Sequence, residues 1–225
     1  MLFLARKLVP SIHPDYVIVQ YSPWLAERSS SPFAPTNFGR IPQPYLFGRD
    51  TLAIHPPVFR ARVMDLPWQR YTDTPRSFTD FISFFWNAGM PLAIHDGGHL
   101  MLFHTRQILG LVPRPTVDRG KLERFVYHEI AQLGSANNAK LILVVLAVGA
   151  EPVTVPNDIA AQYMLVDANT ALIKRLTSPT RQNWISKYAH LRGDPPKPVD
   201  FHPNQVAHRI IADEIIFKIG RPLAK

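Results

Sequence analysis

KLERFVYHEIAQLGSANNAKLILVVLAV, Lys121–Val148, joins two contrasting patterns across one polar turn. Its first half carries apolar residues at helical spacing, and its second is an unbroken apolar run, too short for a buried helix and right for a strand. A strand apolar on successive residues belongs to a sheet covered on both faces, as parallel sheets are. A helix feeding such a strand through SANNAK is one unit of that architecture.

The same alternation extends outward. Downstream, EPVTVPND leads to a short helical segment around Ile159 to Gln162. YMLVD (Tyr163–Asp167) then reads as a strand and ANTALIKRL as a helix, with Asp167 placed to cap it. Upstream, DYVIVQY (Asp15–Tyr21) is rich in β-branched and aromatic residues between Pro14 and Pro23, which marks a buried strand. LFLARKL before it resembles the last turns of a helix. Ser77 can cap a helix through SFTDFISFFWNAG; MPLAIHD then reads as a short strand, and LMLFHTRQILG as another helix. These elements predict a three-layer α/β/α fold with a mainly parallel sheet, in one domain spanning 1–225.

Between about 23 and 76 the pattern breaks. Nine prolines, from Pro23 to Pro75, interrupt any long periodic element, and Ser29–Ser31 adds a polar turn. This stretch is expected to be an irregular excursion with short elements. Its aromatics, among them Trp24, Phe33, Tyr45, Phe47 and Phe59, argue that it packs rather than floats.

With 46% hydrophobic residues among 225, the chain can bury a sizeable core. It has no cysteine, which removes disulfides, thiolate catalysis and thiolate zinc sites. The longest apolar run, Leu141–Ala150, is about half of the roughly 20 residues a membrane helix needs, and no secretory signal is visible. The expectation is a soluble protein, cytoplasmic by default, without transmembrane insertion. Most of the +8 charge lies in 171–225, where ten Lys or Arg face four Asp or Glu. These charges are dispersed and form no nucleic-acid motif, so no nucleic-acid partner is expected.

Chemistry concentrates in DFHPNQVAHRIIADEI, Asp200–Ile215. Asn204 can cap a helix whose stripe, Val206, Ala207, Ile210, Ile211, Ile215 and Ile216, would be buried and would fix His202 just before it. Asp200 can accept a proton from one imidazole nitrogen, leaving the other to act as a base; structural capping accounts for the same residues. His208 has no acid placed beside it. IHDGGHLMLFH offers His95, Asp96, His99 and His104 as possible metal ligands, although Gly97-Gly98 makes a turn as plausible as a helix there and no HExxH motif occurs. No glycine-rich phosphate loop is present, and no cofactor is expected.

DFHPNQVAHRIIADEI resembles the last sequence block of the SGNH or GDSL serine hydrolases. PDYVIVQYSP, AKLILVVLA and YMLVDANTALIKRL resemble other strand and strand–helix blocks of that family, in the same order. The resemblance implies an SGNH-hydrolase-like (flavodoxin-like) fold, incomplete at the N-terminus, that cleaves small-molecule or glycan carboxylic esters through a Ser-His-Asp acyl-enzyme mechanism. It assigns His202 as the base and Asp200 as the acid. Two departures stand out. The family's acid lies three residues before the histidine, where this chain has Val199, and the Gly-Asp-Ser-like nucleophile turn has no counterpart. Ser22, directly after the strand in VQYSPW, is followed by Pro23 rather than a glycine-rich turn, and Ser135 follows a helix. The missing nucleophile turn leaves a noncatalytic α/β remnant or interaction domain as the alternative, and the histidines of IHDGGHLMLFH leave a metal-dependent hydrolase as a lesser one.

Overall fold

A computed structural model of the chain describes residues 1–22, 25–36, 39–48, 51–61, 77–84, 86, 90–112 and 118–220. In chain order the elements are α1 (Leu2–Ile12), β1 (Tyr16–Tyr21), α2 (Leu25–Ser30), β2 (Phe33–Thr36), β3 (Gly39–Pro42), β4 (Tyr45–Phe47) and β5 (Ala53–His55). There follow α3 (Phe78–Phe84), α4 (Met90–Ile108), α5 (Arg119–Ala136), β6 (Lys140–Val145), α6 (Asn157–Ala160) and β7 (Met164–Val166). The last are α7 (Ala168–Ile173), α8 (Arg181–Tyr188), β8 (His190–Arg192), β9 (Lys197–Asp200) and α9 (Gln205–Ile219). They fall into two compact units, one formed by Met1–Ala26 with Glu123–Lys225 and the other by Glu27–Leu122.

The first unit is the expected three-layer α/β/α arrangement around a parallel sheet of order β1-β6-β7. Tyr16 to Tyr21 pair residue by residue with Lys140 to Val145, so Val17, Val19 and Tyr21 share a face with Leu141, Leu143 and Val145. That face meets α5: the Tyr127 ring lies 5.2 Å from Tyr21, and the Tyr127 hydroxyl donates to the Gln20 carbonyl at 3.0 Å. A Cβ on Gly134 would lie 2.4 Å from a Leu141 methyl, so the missing side chain lets α5 approach the sheet closely. Arg6 of α1 is paired with Glu129 of α5.

The opposite face carries Ile142, Val144 and Val166, packed against Ile211, Ile215 and Ile219 of α9. Ile18 points the same way on the outermost strand and is 53% exposed, since α9 lies over β6 and β7. A second cluster joins Leu146, just past β6, to Leu172, Trp184, Tyr188, Ala207 and Ile210. Sequence periodicity did not reveal α8, yet its Trp184 and Tyr188 are fully buried there. The hairpin β8–β9 was also unforeseen; it sets His190 opposite Asp200.

The second unit contains most of the proline-rich excursion and continues to Leu122. Its strands among the described residues are two separate antiparallel pairs, β2–β3 and β4–β5. Phe33 is the aromatic centre of what is described, with ring centres of Phe103, His104 and Phe59 at 5.2, 6.1 and 6.3 Å. MPLAIHD is not a strand. Residues 90–108 form the single helix α4, which runs through Gly97 and Gly98 because flanking helix formers carry the ladder across them.

No helix among the described residues is long and apolar enough to cross a membrane.

Candidate functional site at the carboxyl edge of the sheet

Parallel strands end together, so Ser22 after β1, Leu146 after β6 and Asp167 after β7 all emerge at one edge of the first unit. Loops at such an edge hold the ligands of open α/β sheets. Ala207 and Ile210 pack into the cluster that contains Leu146, which brings the start of α9 to the same edge.

That start is fixed by Asn204. Its Oδ1 accepts from the Val206 and Ala207 amides at 3.0 and 3.1 Å, the expected cap. Its Nδ2 donates to the Lys187 and Ala189 carbonyls at 3.0 and 3.2 Å, and its backbone N–H to Tyr188 at 2.7 Å. One side chain thus caps α9 and also closes the end of α8. His190 Nε2 donates to the Pro203 carbonyl at 3.2 Å, a further tie on the residue between His202 and the cap.

His202 is exposed on the short loop between β9 and α9. Asp200 ends β9, paired in register with His190; its side chain lies outside the described part of the structure. The guanidinium of Arg181 sits 5.7 Å from the Phe201 ring centre, covering the residue between them. His208, exposed on α9, donates its backbone N–H to the Asn204 carbonyl at 2.9 Å as part of the first helical turn.

Ser22 is placed at the edge but turned inward. It is 2% exposed; its hydroxyl donates to the Leu146 carbonyl at 2.5 Å and accepts from Gln20 Nε2 at 2.7 Å. The oxygen ties the ends of β1 and β6 together. Trp24, which follows Pro23, lies outside the described residues. Ser135 sits exposed near the end of α5. Asp167 caps α7, accepting from the Thr170 amide at 2.9 Å.

Sequence reasoning missed Asn169. It is 1% exposed at this edge, accepting from the Ala147 amide at 3.4 Å and donating to the Glu151 carbonyl at 2.8 Å. These bonds hold the loop after β6 against α7. A polar residue inside an otherwise apolar helical face was the available signal.

Beneath the edge the tyrosines form a chain: Tyr163 donates to the Tyr127 carbonyl at 2.6 Å, and Tyr21 to Glu123 at 3.3 Å. Burial pushes the Tyr127 and Tyr163 hydroxyls well above the ordinary phenol range, so both stay neutral and donate. Among the described residues no three histidine, aspartate or glutamate side chains are grouped to hold a metal ion. Comparison with known proteins found no matching family model, no similar curated protein and no similar solved structure.

Proposed function

We propose that the first unit carries the acid–base half of an SGNH/GDSL-like, flavodoxin-like ester hydrolase, with His202 as general base and Asp200 as the carboxylate that orients it. The observation that supports this most is the bonding of Asn204, which holds the loop after His202 at the carboxyl edge of a parallel sheet while His202 stays exposed. In the reaction His202 takes the proton of a serine hydroxyl as its oxygen bonds to the ester carbonyl carbon. It returns that proton to the departing alcohol as the carbon–oxygen bond breaks, and water then repeats the steps on the acyl-enzyme. Ser22 is not the serine of this proposal, because its oxygen is buried and engaged by Leu146 and Gln20.

The same state of Ser22 favours a second reading, a noncatalytic α/β interaction domain in which this edge is structural. Hydrolysis of a short-chain p-nitrophenyl ester, with fluorophosphonate labelling and peptide mass mapping, separates the two. The catalytic reading expects a labelled serine and a fall in turnover of about 10²–10⁴-fold in His202→Ala. Turnover that is unchanged in His202→Ala removes that residue from the mechanism. An intact chain with neither turnover nor label supports the noncatalytic reading.

A further inference from the structure

The continuity of α4 puts two histidines where a strand and turn would have separated them. His95 and His99 lie one helical turn apart in the second unit, with ring centres 4.7 Å apart and planes at 61°. Each ring is held by a different neighbour. His95 Nδ1 donates to Asp96 Oδ1 at 2.7 Å, with the two side chains 29% and 19% exposed, so that in the neutral ring Nε2 carries the lone pair. His99 stacks on Phe59 at 5.0 Å with planes 21° apart, while remaining exposed to solvent.

A metal bonded at about 2.1 Å to one nitrogen of each ring lies roughly 3.3 Å from each ring centre. Rings 4.7 Å apart therefore subtend roughly a right angle at that point, the angle between adjacent ligands of a square-planar or octahedral ion. The carboxylate on the far nitrogen of His95 is the arrangement that fixes the tautomer of metal-binding histidines and raises their basicity.

We propose that His95 and His99 form a two-imidazole site for a divalent transition ion of the copper, nickel or zinc class. Asp96 is a positioning residue for His95, and water completes the coordination shell. Hard ions such as magnesium and calcium are excluded by the donor set, since they require oxygen ligands. The ion is held by one helix rather than enclosed, because no third histidine, aspartate or glutamate ligand joins the pair among the described residues. The site is independent of the hydrolase reading.

The test is titration of the full chain, free of any affinity tag, with Cu²⁺ alone, followed by calorimetry and by electron paramagnetic resonance at one equivalent. The site expects hyperfine splitting from two ring nitrogens, lost in His95→Gln/His99→Gln. His99→Gln, at an exposed position, should weaken affinity at least tenfold, and Asp96→Asn about tenfold with the two-nitrogen signal kept. The proposal is overturned if the two-nitrogen signal survives in the double variant or is missing from the native chain. Equal affinity in Asp96→Asn overturns the role of Asp96.

Discussion

The two units build β-structure in opposite ways. In the first, β1 pairs with a strand more than a hundred residues further along, and helices pack on both faces of the sheet, most completely over the middle strand β6. In the second, β2–β3 and β4–β5 pair strands of three or four residues with near neighbours in the chain. A two-stranded ribbon is marginal alone, so the second unit relies on ring contacts around Phe33 and on Tyr45 stacked over His55 at 5.3 Å. Parallel pairing therefore concentrates stability in a long-range core, whereas local pairing distributes it over side-chain contacts.

The largest expected effect tests that concentration. Ile142 is fully buried in the middle strand, against the stripe of α9. Ile142→Ala should cost about 2–5 kcal/mol through lost transfer energy and the cavity left behind, measured by denaturant unfolding. A loss below about 1 kcal/mol would mean that the sheet is not where this unit's stability resides.

This contrast also explains what could be read in advance. The strands of the first unit were legible because β6, covered on both faces, is a continuous apolar run in LILVVLAV, and because DYVIVQY is rich in β-branched and aromatic residues between prolines, although β1 buries only alternate residues and leaves Ile18 exposed. The caps were legible because Asp167 and Asn204 directly precede helical stripes. The hairpins of the second unit were not, since Pro35 and Pro42 within β2 and β3 read as breakers; a proline is tolerated in an edge pair where its missing N–H costs no ladder bond. MPLAIHD was misread because its apolar residues match a short strand, and only the continuing ladder across Gly97-Gly98 distinguishes a helix. At the candidate site, His202 and its capped helix were visible in sequence. The inward turn of the Ser22 hydroxyl depends on the Leu146 carbonyl, 124 positions away, and no local pattern encodes it.

A pH ramp probes the buried tyrosines of the first unit. Tyr127 and Tyr163 have folded-state values raised above the ordinary 10.0, chiefly by burial, and for Tyr127 also by Tyr21, Glu123 and Tyr163. A raised value means that the unfolded chain loses these protons first. Their contribution is then complete below pH 10.0 and falls as pH rises from there toward the folded values. Stability should decline above about pH 10 in the native chain and more gently in Tyr163→Phe, followed by circular dichroism in denaturant titrations at each pH. Parallel curves for the two proteins would show that Tyr163 is not linked to unfolding.

The smallest expected effect lies in the local hairpins. Tyr45 stacks on His55, whose Nε2 donates to the Phe47 carbonyl at 3.2 Å, so ring contact and ladder support each other across β4–β5. Tyr45→Ala removes the stacking, worth about 0.5–1.5 kcal/mol beyond the area it buries. Amide exchange in Phe47 and Ala53 should then accelerate roughly tenfold, because a short ribbon opens by local fluctuation. Amides of Ile142 to Val145 should keep their rates, since they are released only when the sheet itself opens. Equal acceleration in both places would make the hairpin part of the same cooperative opening as β6, and local pairing could no longer be treated as a separate source of stability.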